Sequence, residues 1–221
     1  MCWNKEISII TFVLAMFGAI YLYTRNGPND RWIAVFGATI GMIQLAEYFM
    51  WLDPTCTNIN NINKYASIFA VLILAAEPVM NMVGGIYFSN TPFKSILKWM
   101  LLAYIIFIIF AYSSQVHKRN INWCAKPGCA PDSNIFAGFI NSDKCNLEWY
   151  FTKNINTKIG IIWILFLVLP FLAMTPQTHG IILFTLGFMT LTISSLINRA
   201  ASGSLWCWLA IGIIYGKILI R

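Results

Sequence analysis

Residues 65–88 read YASIFAVLILAAEPVMNMVGGIYF, and this stretch decides the fold. A helix needs about 20 predominantly apolar residues to cross a hydrocarbon core, and this run has them. Its one charged side chain is Glu77. Working outward, six more apolar segments cover 7–23, 32–52, 96–112, 159–174, 180–197 and 205–220. The segment at 159–174 is short for a span. Turn-forming sequences separate the runs: Asn26-Gly27-Pro28, Asp53-Pro54, Asn90-Thr91-Pro92 and Thr175-Pro176. One long polar stretch, 113–158, interrupts the series.

Composition agrees. Hydrophobic residues make up 58% of the 221 and charged residues only 10%, against roughly 25% charged in soluble domains. The mean hydropathy is +0.67. A chain this poor in charge cannot cover a water-facing surface. Short alternating segments, the mark of a membrane barrel, are missing. The expected fold is all-α: a polytopic transmembrane bundle of about seven helices. It forms a single domain over 1–221, with 113–158 as a long outer loop. No cleavable leader is expected, since Lys5 is offset by Glu6 and no small-x-small site follows the first run.

Charge and cysteine predict the orientation. With seven spans, Arg25, Arg31, Lys94, Lys98, Lys217 and Arg221 share one side with a single acid, Asp30. The short segments of the other side carry Lys5, Lys64 and Arg199. The positive-inside rule then puts the C-terminus in the cytoplasm and the N-terminus outside. Cys2, Cys56, Cys124, Cys129 and Cys145 all fall on the outer side, with Cys207 in the outer turns of the last helix. Disulfides form in oxidising compartments, so this one-sidedness fits. Cys124 with Cys129 across a turn, or Cys56 with Cys145 between two loops, are alternative pairings. The net charge of +7 is spread over loop ends, which fits headgroup anchoring in a lipid bilayer and not a nucleic-acid partner.

Two carboxyls lie within apolar runs, Glu47 and Glu77. Gln44 and Glu47 are three apart on one helix, and Glu77 and Asn81 four apart on the next. Glu77 is expected near the bilayer centre and Glu47 roughly two turns nearer the outer surface, at 1.5 Å per residue; if the helices are antiparallel neighbours, the four groups can converge on one polar cluster in the outer half of the bundle. An ionisable group at mid-membrane costs about 2.5–3.5 kcal/mol. The functional reading is a proton or small-cation site. The alternative is a neutral Glu hydrogen-bonded to Gln or Asn as packing glue. Pro78 frees the carbonyl of Leu74, a ligand for a cation or merely a kink.

Other residues read as structure. Thr185, Thr190, Thr192, Ser194, Ser195, Asn198, Ser202 and Ser204 suit back-bonding and close packing. Trp206-Cys207-Trp208 suits the outer interface. Lys217, beside Arg221, suits a snorkelling anchor and not a buried chromophore lysine. His117 and His179 fall on opposite sides, so no histidine-based metal site is expected. No cofactor is implied, and no nucleophile elbow or phosphate loop marks an enzyme.

Met1-Cys2-Trp3, Gln44-x-x-Glu47 with Trp51, Glu77-Pro78 with Asn81, and Trp206-Cys207-Trp208 together resemble an uncharacterised family of multipass membrane proteins of large DNA viruses infecting protists. Asn4 departs from the serine that follows the opening motif in that family. The resemblance implies a host or virion membrane and a pairing of Cys2 with Cys207, and brings no assigned activity. The expected function is a channel or transporter for protons or small cations. The alternative is a non-enzymatic structural or assembly protein whose outer loop binds a protein partner.

Overall fold

The computed structural model describes residues 4–57, 61–116, 122–129, 145–150, 157–197 and 202–220. These form seven helices: α1 (Lys5–Arg25), α2 (Asp30–Trp51), α3 (Ile62–Phe88), α4 (Lys94–Val116), α5 (Thr157–Val168), α6 (Gln177–Ile197) and α7 (Ser202–Leu219). Each coincides with an expected apolar segment. The windows Lys5–Arg25, Asp30–Trp51, Ile62–Phe88, Lys94–Ser113 and Ser202–Leu219 are long and apolar enough to cross a membrane.

The helix ends have local causes. Asn4 caps α1 by accepting a 2.8 Å hydrogen bond from the Ile7 amide. Asn26, at φ 52°, turns the chain left-handed after α1 and donates its amide to the Leu22 carbonyl; Asn tolerates that region better than most residues. α5 stops early because Pro170 cannot continue it, and the chain tightens into a 3-10 turn over Leu169–Ala173. The 159–174 segment is therefore a helix and a turn, not one continuous helix.

The long 113–158 loop adds a little strand to the all-α bundle. It contains a hairpin, β1 (Ala125–Cys129) antiparallel to β2 (Cys145–Trp149). Ala125 faces Trp149, Pro127 faces Leu147, and Cys129 faces Cys145 in the register. Leu147 and Trp149 are buried while Glu148 between them is half-buried, the period-two pattern of a strand lying on a core.

α2 is the central helix: 61% of its membrane-length window is buried, against 17% for α4. Glycine allows its close neighbours. A Cβ at Gly84 of α3 would lie 2.6 Å from the Trp32 indole, and one at Gly85 2.8 Å. The outward faces are apolar, with Phe17, Tyr21, Ile106, Phe110, Phe188 and Leu196 exposed. Contiguous apolar surface of this kind calls for lipid.

Side-chain contacts sort the loops into two ends. The α1–α2 turn, the α3–α4 turn and the α5–α6 corner meet at one end, where Asn29 donates to the Thr175 carbonyl (2.9 Å) and Thr91 to that of Ala173. The α2–α3 loop, the hairpin and the start of α7 meet at the other. Asn63 bonds Ala125 there, and Trp149 lies against Gly203.

Candidate functional site

Glu77 is fully buried in α3, and neither carboxyl oxygen has a hydrogen-bond partner among the described residues. Its neighbours are already engaged. Asn81, one turn on, accepts from the Trp32 indole N–H at 2.6 Å and donates to the Leu167 carbonyl at 2.7 Å. That amide therefore ties α2, α3 and the end of α5 together, and does not partner Glu77. The carbonyl freed by Pro78 is also occupied: Trp163 donates to Leu74 O at 2.8 Å, and the Tyr104 hydroxyl donates to Ala75 O at 2.9 Å. Two aromatic side chains from α4 and α5 thus occupy these carbonyls beside Pro78, and neither is left open for a cation.

Asn81 bonds Trp32 and Leu167 and none of the other three polar candidates. The Trp32–Asn81 bond and the bond from Asn63 to the Met50 carbonyl set the antiparallel register of α2 and α3. Phe36 then lies level with Glu77, and Glu47 level with Ala66. At 1.5 Å per residue Glu47 is about 16 Å from Glu77 along the axis. Glu47 and Gln44 are both fully buried. Glu47 lies on the stripe of Ile40 and Phe36, and Phe36 meets Phe171 edge-on at 5.3 Å in the bundle interior. Gln44 follows Gly37 by about two turns on α2, and a Cβ at Gly37 would meet Ile214 of α7. The two carboxyls lie at two depths, as their places in the two runs predict, and Asn81 is engaged away from both.

A second polar centre lies at the charged end. Asp30 opens α2 with a fully buried side chain. Its carboxylate accepts from Arg25 Nε (2.6 Å), Arg25 Nη2 (2.8 Å) and the Gly27 amide (2.8 Å), and pairs with Lys217 Nζ at 3.1 Å. Lys217 is also fully buried and bonds the Ile220 carbonyl. Arg25 reaches the carbonyls of Ile218 and Lys217 at the end of α7. The snorkelling anchor is thus corrected: Lys217 turns inward because Asp30 waits in the first turn of α2. Two cations face one carboxylate, and the C-termini of α1 and α7, each worth roughly half a negative charge, offset the excess.

The hairpin end is closed differently. The disulfide joins Cys56 to Cys124, which corrects both the Cys124–Cys129 and the Cys56–Cys145 pairings. A tie between the α2–α3 loop and the long loop is as expected, but Cys124 makes it because β1 enters beside Asn63. Asn63 donates to the carbonyls of Ala125 (2.8 Å), Asp53 (2.9 Å) and Met50 (3.1 Å), and accepts from the Ala125 amide (2.9 Å). Cys207 is buried, and Cys2, its suggested partner, lies outside the described residues, as do the side chains of Cys129 and Cys145.

Trp206 is 3% exposed and packs edge-on to Trp163 at 5.8 Å, so it is a core residue and not an interfacial one; the side chain of Trp208 lies outside the description. Thr190, Thr192 and Ser194 bond carbonyls of their own helix, as back-bonding hydroxyls do. Ser195's side chain, Asn198 and His117 lie outside the described residues. Among those described, no group of three His, Cys, Asp or Glu side chains is placed to hold a metal. Sequence reasoning missed Trp32, Asp30 and Asn63. Their one signal was a polar or amphipathic residue at the edge of an apolar run. The chain matches no family model, no curated protein and no solved structure.

Proposed function

We propose that this chain is a multipass membrane protein that moves protons, with Glu77 as the carrier. One observation carries the reading: a fully buried carboxyl on a membrane-length helix with no hydrogen bond to either oxygen among the described residues. Packing glue requires a partner, and Asn81, the nearest candidate on the same helix face, is engaged elsewhere. A buried polar group left unmade costs about 1–3 kcal/mol, so a use for the group is the better account of it. The occupied Leu74 and Ala75 carbonyls favour a proton over a small cation, which needs several oxygen ligands. In this reading the charged end faces the cytoplasm and the hairpin end faces outward. The resemblance to viral membrane proteins suggests a host or virion membrane.

Proton flux into liposomes holding the purified protein is the test. Glu77→Gln keeps the shape and cannot ionise. It is expected to abolish flux while leaving the thermal midpoint nearly unchanged; unchanged flux sinks Glu77 as the carrier. The second reading, a structural or assembly protein whose long loop binds a partner, is favoured by the hairpin, which the disulfide and Asn63 fasten to the α2–α3 loop. Absence of flux from the wild-type protein, with a partner captured through 113–158, selects it.

A further inference from the structure

The charged end holds more cations than its one carboxylate can balance. Arg25, Arg31, Lys94, Lys98 and Lys217 lie there, and among the described residues Asp30 is the one acid beside them. Asp30 is fully buried and already taken by Arg25 and Lys217. Arg31, the next residue of α2, is engaged elsewhere. Its guanidinium lies over the Tyr23 ring, 5.0 Å from the centroid, and its Nε donates to the Tyr23 carbonyl at 3.4 Å. Both Nη groups are left without a protein acceptor among the described residues. Tyr23 in turn meets Phe88 of α3 edge-on, with ring centroids 6.2 Å apart. The ends of α1 and α3 and the first turn of α2 thus build one ledge, aromatic with a cationic rim. Deeper along α1 the surface is apolar: Ile20, Phe17 and Val13 follow Tyr23 at three- and four-residue spacing, and all four are exposed. At 1.5 Å per residue this track is about 15 Å long, half of a hydrocarbon core of about 30 Å and so the depth of one leaflet. The hairpin end has no such rim. There Lys5 pairs with Glu6 at 3.9 Å, and Lys126 stands opposite Glu148 in the strand register.

We infer that this ledge is a binding site for one anionic phospholipid of the leaflet at the charged end. The Arg31 guanidinium takes the phosphate oxygens, Tyr23 and Phe88 lie against the glycerol region, and an acyl chain follows Ile20, Phe17 and Val13. A planar fork of N–H donors fits two phosphate oxygens at once. An anionic headgroup supplies the counter-charge that the protein does not; a zwitterionic one brings its own cation and leaves Arg31 unbalanced. The apolar track favours a lipid over free phosphate, which would cover none of it. Lys94 and Lys98, at the start of α4, raise the positive potential at the same leaflet without belonging to the ledge. The site stands independently of any role of Glu77.

The experiment is native mass spectrometry of the full-length protein in detergent micelles, titrated with phosphatidylglycerol, phosphatidylcholine or inorganic phosphate. Phosphatidylglycerol should be retained in preference to phosphatidylcholine. Arg31→Gln should weaken that retention about fivefold, the worth of one basic side chain beside an anionic surface. Lys98→Gln at the same end, and Lys64→Gln at the hairpin end, should weaken it much less. Equal retention of the two lipids overturns the inference, because no anionic selectivity is left. A loss in Lys98→Gln or Lys64→Gln as large as that in Arg31→Gln also overturns it, because diffuse charge then accounts for the binding. Inorganic phosphate should neither bind alone nor displace the lipid; if it does either, the ligand is a free phosphate and the lipid assignment falls. If Arg31→Gln does not fold, Arg31→Lys takes its place. It keeps the charge and loses the fork, so it should still hold phosphatidylglycerol less well than the native chain, and unchanged retention removes Arg31 as the headgroup ligand.

Discussion

At one end of the bundle a single buried carboxylate, Asp30, gathers Arg25, Lys217 and a backbone amide, and Arg25 goes on to hold the last carbonyls of α7. At the other end a disulfide and one carboxamide, Asn63, fasten a hairpin over the α2–α3 loop. Both ends are tied by residues far apart in sequence, but the ties fail in different ways. The ionic end depends on charge balance, so removing one partner is worse than never having had the set. The hairpin end depends on covalent closure, so its loss acts mainly on the unfolded chain. The difference assigns each end a different vulnerability, and substitutions can test that directly.

The largest effect is expected at the ionic end. Asp30→Asn keeps the volume and leaves two cations facing each other with only helix carbonyls for company. Breaking a buried pair by removing one partner costs about 3–5 kcal/mol. Thermal unfolding in detergent should show a large loss, and the double variant Asp30→Asn with Lys217→Met should recover much of it. A small loss for the single variant would mean that the helix dipoles alone balance the cations, and would erase the contrast between the ends.

The hairpin end should respond less. Replacing Cys56 and Cys124 with Ser opens a loop with a sequence separation of 68, and loss of a disulfide typically costs about 2–4 kcal/mol. Asn63→Ala leaves the Ala125 amide without its acceptor, at about 1–3 kcal/mol. Because both hold the same strand, the two losses should be less than additive. Full additivity, measured by denaturation of the single and combined variants, would show that the clamp is two independent fastenings.

The helices are legible in the sequence because a bilayer imposes one coarse rule, a long apolar run between turn residues. The segment at 159–174 reads only as a short span, and the break that Pro170 makes in it appears in the structure. What is not legible is register. Trp32 reads as one more apolar residue of α2, and its indole N–H finds Asn81 only because Gly84 and Gly85 clear the space. Glu47 and Glu77 are visible as costly carboxyls. Their difference in depth is legible from their places in the two runs; how large it is depends on how α2 slides against α3, and periodicity within one helix does not report that. Lys217 misleads for a related reason. Position near a chain end suggests snorkelling, but its partner Asp30 belongs to another helix, and counting charges by side treats the two as an excess and an offset. Hairpin pairing escapes because Ala-Lys-Pro-Gly-Cys resembles a turn until β2 is placed beside it.

The ionic end also carries two neutral fastenings, and these should give the smallest effects. Asn29 donates to the Thr175 carbonyl and Thr91 to that of Ala173, so both grip the corner between the 3-10 turn and α6. Neither involves a charge, and a hydrogen bond of this kind contributes about 0.5–1.5 kcal/mol net. Thr91→Val removes the hydroxyl and keeps the shape; Asn29→Ala removes the amide and also a side chain suited to its left-handed backbone, φ 61°. The second should therefore cost somewhat more than the first. If the corner is one rigid piece, either bond alone keeps it docked, and the double variant should lose more than the two single losses together. If the corner is held chiefly by Pro170 and Phe171, both buried against the core, the losses should simply add. A cost for either single variant approaching that of Asp30→Asn would mean that the α5–α6 corner, and not the buried carboxylate, is what holds this end closed.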